Sequence, residues 1–368
     1  MTHPPSPRPH AGVMDITPYK GGEADAPGID NIVKLSSNES ALGPSPKAID
    51  AFKAAAATLH RYPDGEARVL REAIGRRHGV SPAQIVCGAG SDELISLLIT
   101  AYAGPGEEVL YTEHGFLMYR ISAMAAGAVP VAAPERDLRA DVDQLLARVT
   151  SRTRIVFLAN PNNPTGSYVT SAELQRLRDG LPSDVILAID AAYAEYVGAA
   201  DYSAGQDLVA GHDNVVMLRT FSKIYGLSAL RVGWCYAAPA IADALNRVRG
   251  PFNVNAAAQA AAVAAIEDAR FEAKARAHND QWLPWLAREL AGLGLPTAPS
   301  VGNFLIADFG GAERAQAGFA FLRSRGILVR LIAGYGLPQY LRVSVGLADD
   351  NAAAIAALKD FVAANPAR

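Results

Sequence analysis

Lys223 and Arg231 stand eight positions apart in the stretch Thr220-Phe-Ser-Lys-Ile-Tyr-Gly-Leu-Ser-Ala-Leu-Arg231. A deprotonated lysine amine attacks carbonyl carbon and forms a Schiff base. An arginine presents a planar fork of donors that matches phosphate oxygens. Thr220 and Ser222 add hydroxyl donors to the same phosphate. One small molecule that carries both an aldehyde and a phosphate is pyridoxal 5′-phosphate, and the spacing suits it. Alone the pattern is only moderately specific, because most lysines that follow a strand are solvated charges. Its weight comes from the segments before it.

Cys87-Gly-Ala-Gly-Ser-Asp-Glu93 reads as a strand that turns through small residues into a helix. The exposed N–H groups of a helix start bind phosphate, and Gly90 and Ser91 would supply them. The spacing is not that of a dinucleotide fingerprint. In Glu113-His-Gly-Phe-Leu-Met-Tyr119, Phe116 is placed to stack on a flat cofactor ring, with His114 lining the same pocket. Asn160-Pro-Asn-Asn-Pro-Thr-Gly166 is a turn-rich loop after a buried strand, and the amide of Asn163 can donate to a ring oxygen. Asp190 closes the apolar run Val185–Asp190. A carboxylate there is costly to bury unless paired. Opposite a pyridine nitrogen it would keep the ring protonated and electron-accepting. Tyr193, three residues on, can reach the ring oxygen. Each segment alone also reads as an ordinary turn, core aromatic or strand end; six in this order are hard to obtain by chance.

The elements that must position these residues alternate. Candidate strands are Ile85–Cys87, Glu108–Tyr111, Val129–Ala132, Ile155–Ala159, Val185–Asp190 and Val215–Arg219. Helical patterns at Asp92–Ala103 and Leu117–Ala126 lie between them, and Thr170-Ser-Ala-Glu173 opens another as a capping box. Nearly continuous apolar strands alternating with helices predict an α/β unit whose mostly parallel sheet is covered by helices on both faces. Ligands of such sheets sit at the carboxyl ends of the strands, where these motifs fall. From about Asn253 the pattern changes to a long alanine-rich helical stretch, Ala256–Leu293, with a break expected near Pro284. Strands at Asn303–Ala307, Ile327–Arg330 and Tyr340–Val345 and helices at Glu313–Ser324 and from Asp349 complete a smaller α+β unit. The expected division is a disordered tail over 1–14, an arm and part of the small unit over 15–60, a large cofactor-binding unit over 61–252 and a small unit over 253–368.

The 368 residues are 50% hydrophobic and 19% charged, with a net charge of −3. That balance is globular and gives no reason to expect nucleic acid or an anionic membrane surface as partner. No apolar run is long enough to span a bilayer. The proline-rich start Met1–His10 lacks the apolar segment of a signal peptide. Cys87 and Cys235 are the two cysteines, without a CxxC spacing; no metal site or disulfide framework is expected, which suits a reducing cytoplasm.

The ordered set resembles the fold-type I pyridoxal-phosphate enzymes of the aspartate aminotransferase superfamily, and within them the histidinol-phosphate aminotransferases. The resemblance runs from about Asp15 to the C-terminus. Its more diagnostic parts are Thr17-Pro-Tyr19, Leu35-Ser-Ser-Asn-Glu-Ser40, Arg61-Tyr-Pro-Asp64, Ser222-Lys223 and Tyr340-Leu-Arg-Val-Ser-Val-Gly346. It implies a homodimer with shared active sites. It implies Lys223 as the Schiff-base lysine and proton carrier, Asp190 at the ring nitrogen, Asn163 and Tyr193 at the ring oxygen, and Phe116 on the ring face. Gly90, Ser91, Ser222 and Arg231 would bind the cofactor phosphate, and Tyr62 would reach it from the partner subunit. Arg342, Arg330 and Tyr19 would grip the anionic group of the substrate, with Asn38 close by. The sequence departs from the family pattern at Ala191, where glutamate is frequent, at Phe116, where tyrosine is also common, and at His114, where proline is frequent.

The implied reaction is transfer of an amino group from histidinol phosphate to 2-oxoglutarate, giving glutamate, in histidine biosynthesis. An aromatic amino acid aminotransferase acting on phenylalanine or tyrosine, alone or with dual specificity, is the alternative. A phosphothreonine decarboxylase would use a very similar frame. A cofactor-binding transcriptional regulator would need an added DNA-binding domain, for which the 14 residues before Asp15 leave no room. An NAD-linked dehydrogenase is disfavoured by the absent glycine fingerprint.

Overall fold

The computed structural model describes residues 7, 9–29 and 31–366. Seven strands build the central sheet: β1 (Ile85–Gly88), β2 (Glu108–Thr112), β3 (Val129–Ala133), β4 (Thr153–Ala159), β5 (Ile186–Asp190), β6 (Val215–Thr220) and β7 (Gly233–Ala237). Their spatial order is β1-β7-β6-β5-β4-β2-β3. The pairs from β6 to β3 are parallel, and β7 runs antiparallel to both β6 and β1. β7 is absent from the strands expected above. It is five residues long, begins with glycine, and follows the chemistry-bearing loop 221–232 rather than a helix. That loop returns directly, with the Phe221 N–H donating to Val232 O at 3.0 Å, which dictates the antiparallel entry.

The strand runs are buried on both faces because period-2 alternation sends neighbouring side chains into two different cores. Val156, Leu158, Leu187, Ile189, Val215 and Met217 pack on one side. Ile155, Phe157, Ala188, Val216 and Leu218 pack on the other, under the helices Ser91–Tyr102, Leu117–Ala125 and Pro239–Val248. The helix Ser171–Gly180 opens with the expected capping box: Thr170 Oγ1 accepts from the Glu173 N–H at 3.3 Å, and Glu173 Oε2 accepts from the Thr170 N–H at 2.8 Å.

A second sheet has the order β8-β10-β9, from β8 (Phe304–Asp308), β9 (Arg330–Leu331) and β10 (Tyr340–Ser344), all antiparallel. The helices Ala269–Gly292, Ala312–Ser324 and Ala348–Ala364 pack their apolar faces with it. The single strand expected over Ile327–Arg330 divides at Val329: Ile327–Leu328 pairs in parallel with Val33–Lys34, while Arg330 joins β10. The first of these pairings ties the N-terminal arm to the small unit.

Four further expectations need correction. The long helix breaks at Glu267–Asp268 and not at Pro284, which sits inside the continuous helix Ala269–Gly292. The break lets the chain leave one core for another: the helix Ala256–Ile266, expected in the small unit, buries Ala258, Ala261, Ala262 and Ala265 in the core of the large one. The helix Pro46–Ala55 also buries Ala48 in that core. Of the expected tail, residues 1–6 and 8 lie outside the described residues, and Val13–Asp15 forms a 3-10 turn. Among the described residues, no helix is long and apolar enough to cross a membrane.

Candidate active site

The carboxyl ends of β1, β4, β5 and β6 open into a cavity of about 320 Å³, closed on the far side by the arm and β10. Lys223, Asp190, Tyr193, Asn163, Phe116, Ser91, Ser222, Arg231, Asn38, Tyr19 and Arg342 all line it. The central sheet brings Ser91, Phe116, Asn163, Asp190, Tyr193, Ser222 and Lys223 together because each lies at or just beyond a strand end, and the arm and β10 bring Tyr19, Asn38 and Arg342 against them.

Asp190 is the last residue of β5 and is 5% exposed. Burial pushes its carboxyl up to about 6, opposed by a hydrogen bond from Tyr119 and reinforced by the charge of Asp92. Tyr119 donates to Oδ2 at 2.8 Å, and Oδ1 has no partner. A buried carboxylate oxygen left unpaired is costly unless a donor or cation occupies the space it faces. A protonated ring nitrogen in the cavity meets that need, so the residues present fit the expected cofactor. Tyr119 escaped assignment from sequence although it ends the Phe116 motif. Three positions apart on a helix start, Phe116 and Tyr119 share a face: their rings meet edge to face at 5.9 Å, and Tyr119 stacks on Phe157 at 4.7 Å.

At one end lies the anion cradle. Gly90 precedes the helix Ser91–Tyr102 with φ 87°, and a Cβ added there would lie 2.5 Å from Arg231 Nη2. Gly90 thus stands behind the wall and makes room for the guanidinium rather than lining the cavity itself. Arg231 donates to Ser222 Oγ at 3.3 Å and pairs with Asp92 at 2.9 Å. Lys223 lines the same cavity, its Nζ 5.4 Å from the centre of the Tyr193 ring.

At the other end, Arg342 is 6% exposed on β10. It donates to Asn163 Oδ1 at 2.5 Å and Ser36 O at 2.9 Å, while its Nε has no protein partner. Desolvation lowers its basicity from the ordinary value. Arg330 is its cross-strand neighbour on β9. The Arg330 guanidinium bonds the carbonyls of Lys20 and Gly21 and lies over the Tyr19 ring at 5.9 Å. It therefore holds the arm beside the site and does not line the cavity.

Two further expectations are placed elsewhere. His114 does not line the cavity; its Nδ1 meets Tyr335 O at 2.7 Å. Tyr62 is 83% exposed and stacks on Phe252 at 4.6 Å, outside the cavity of its own chain. Beneath the lysine loop, Arg219 and Glu195 form a buried ion pair at 2.7 Å, with Arg219 over Trp234. Neither stood out in sequence, since a strand charge and a turn charge separated by 24 residues show no pairing signal.

The arrangement can hold an aldehyde against an amine, protonate the ring that carries it, and bind one anion at each end. The model of the family "Aminotransferase class I and II" matches residues 30–358. The histidinol-phosphate aminotransferase of Paramagnetospirillum magneticum is 57% identical over 98% of this chain and 99% of its own length. That of Rhodospirillum centenum is 56% identical over 97% and 99%. The crystal structure of histidinol-phosphate aminotransferase from Sinorhizobium meliloti in complex with pyridoxal-5′-phosphate superposes with a TM-score of 0.86 at 30% identity, covering 90% of this chain and 91% of that one. The aromatic aminotransferase of Pyrococcus horikoshii, 22% identical with a TM-score of 0.79, shares the fold over 91% and 97%. With its lysine, aspartate and arginines converging on one cavity, the chain belongs to the histidinol-phosphate aminotransferase family within the class I and II aminotransferases.

Proposed function

We propose that the protein transfers the amino group of histidinol phosphate to 2-oxoglutarate, forming glutamate, as a pyridoxal-phosphate enzyme of histidine biosynthesis. The observation that carries the reading is that Lys223 and the buried carboxylate of Asp190 line one cavity together with Arg231 and Arg342. Bound here, pyridoxal 5′-phosphate supplies an aldehyde for the amino group and a protonated ring that withdraws electrons from the substrate carbon.

The chain's own residues do the rest. Ser91, Ser222 and Arg231 hold the cofactor phosphate, with Gly90 leaving room behind them for the Arg231 guanidinium. Asp190 Oδ1 keeps the ring nitrogen protonated. Asn163 and Tyr193 donate to the ring oxygen, and Phe116 covers the ring face. Lys223 Nζ, once free of the aldehyde, takes the proton from the substrate carbon and returns it on the other side of the transfer. Arg342 on β10 takes the anionic end of either substrate, phosphate or carboxylate, and Arg330 beside it on β9 holds the arm and adds its positive charge at that end. Tyr19 and Asn38 close the substrate side. The relatives named above support histidinol phosphate as the donor.

The enzyme works as a homodimer in the cytoplasm. An aromatic pair as exposed as Tyr62 and Phe252 is unusual on a free surface, and a second copy that covers it would carry Tyr62 toward the partner's cofactor phosphate. Cys87 and Cys235 are free and buried, as in reducing compartments.

Single-turnover absorption spectroscopy tests the substrate. Wild-type and Lys223→Ala proteins loaded with cofactor are mixed with L-histidinol phosphate or L-phenylalanine. Conversion of the cofactor band by histidinol phosphate at far lower concentration, and none in the variant, is expected. Equal or better conversion by phenylalanine would overturn the donor assignment.

A further inference from the structure

Tyr193 has one hydroxyl proton, and the groups around it decide where that proton goes. Its oxygen accepts from Asn38 Nδ2 at 3.0 Å. An asparagine amide can face either way, so something must fix it. Ser344 does. Its Oγ accepts from the Asn38 backbone N–H at 2.8 Å, and its single proton then goes to Asn38 Oδ1 at 2.9 Å. With Oδ1 held, Nδ2 must point at Tyr193. A flipped amide would set Oδ1 against the phenol and draw the proton out of the cavity.

The backbone of Asn38 is held as firmly as its amide. It is 1% exposed at φ 54°, a left-handed conformation that asparagine tolerates. Asn303 Nδ2 donates to the carbonyls of Asn38 and Glu39 at 3.1 and 3.0 Å, and the Ser344 N–H donates to Leu35 O at 3.0 Å. Phe304, paired with Ser344 across β8 and β10, packs edge-on against the Tyr193 ring at 5.2 Å.

We propose that Ser344 is a positioning residue for the amino transfer: acting through Asn38, it commits the Tyr193 hydroxyl to donate to the phenolic oxygen of pyridoxal phosphate. The inference rests on the cofactor reading above. Ser344 and Arg342 lie two residues apart on one face of β10. Arg342 occupies Asn163 Oδ1 in the same way and leaves the Asn163 amide donor for the same oxygen. One strand of the small sheet thus orients both donors, which stand on the loops that follow β4 and β5 of the large sheet.

The test is the pH midpoint of the cofactor absorption band in the loaded protein. A donor at the phenolic oxygen weakens the hold of that oxygen and the adjoining Lys223 linkage on their shared proton. Losing the donor raises the midpoint. Lys223, Arg342, Asp190, Tyr335 and Tyr196 face Tyr193 or its surroundings, and none of them is substituted in any of the variants. Ser344→Ala is expected to raise the midpoint by about one unit, the size of one hydrogen bond to a charged oxygen. Ser344→Thr, which keeps the hydroxyl, is expected to restore it. In a Tyr193→Phe background, Ser344→Ala is expected to add no further shift. A wild-type midpoint in Ser344→Ala, equal shifts in the Ala and Thr variants, or a shift that survives in Tyr193→Phe would each overturn the proposal. A wild-type protein with no cofactor band dependent on Lys223 would overturn the cofactor reading instead.

Discussion

Tyr119 donates to Asp190 Oδ2 at 2.8 Å, while Oδ1 of this cavity-lining residue has no side-chain donor. The phenol sits at the bottom of an aromatic stack and has no water to turn to, since both residues are buried. The carboxylate is therefore half satisfied by the protein and half by what the cavity receives. Tyr119→Phe removes a hydrogen bond to a charged group, about 1.5–3 kcal/mol. We expect kcat/KM to fall about tenfold or more, with cofactor binding weakened in the same direction. Steady-state kinetics with cofactor titration checks this; unchanged values would show that Oδ2 has no part in holding the charge.

Asp190 also gives cofactor-free protein a pH signature. Its folded value of about 6 lies above the ordinary 3.8, so the folded chain keeps a proton that the unfolded chain has released between these values. Stability from this group is complete below about pH 4 and is lost as pH rises through about 6. Two units correspond to about 3 kcal/mol. Relative to wild type, cofactor-free Asp190→Asn should gain stability between pH 4 and 7, while losing cofactor affinity. Denaturant unfolding at both pH values measures the difference; a constant gap would refute the shift.

Gly90→Ala tests the cradle. The added methyl meets Arg231 Nη2 at 2.5 Å and must hold φ 87° with ψ 168°, a region essentially reserved for glycine that costs an L-residue about 1–3 kcal/mol. We expect the Kd for pyridoxal phosphate to rise at least about tenfold, with kcat at saturating cofactor changed much less. Fluorescence or absorption titration of cofactor-free protein reads it directly.

Arg342→Lys keeps a positive charge and loses the fork that spans Asn163 Oδ1 and Ser36 O. KM for histidinol phosphate and for 2-oxoglutarate should both rise, about tenfold to a hundredfold for one or two charge-assisted bonds. A rise for one substrate alone would assign the other's anion to Arg330.

The sequence by itself determined the lysine, the strand-end aspartate, the turn-rich Asn163 loop, the capping box at Thr170 and the alternation that makes a parallel sheet. These are local signals: a period, a turn residue or a nucleophile at a fixed offset. Tertiary structure decided what depends on segments far apart in the chain. It placed Tyr119 under Asp190, 71 residues away, and Ser344 against Asn38, 306 residues away. It gave the helix Ala256–Ile266 to the large core, because an alanine-rich surface fits either neighbour and only the packing chooses. It turned β7 antiparallel, since direction follows from where the preceding loop must return. It kept His114 out of the cavity, because Tyr335 O was there to take the ring. Hydrogen-bond partners and core membership are properties of proximity in space, and sequence spacing encodes that only within a few residues.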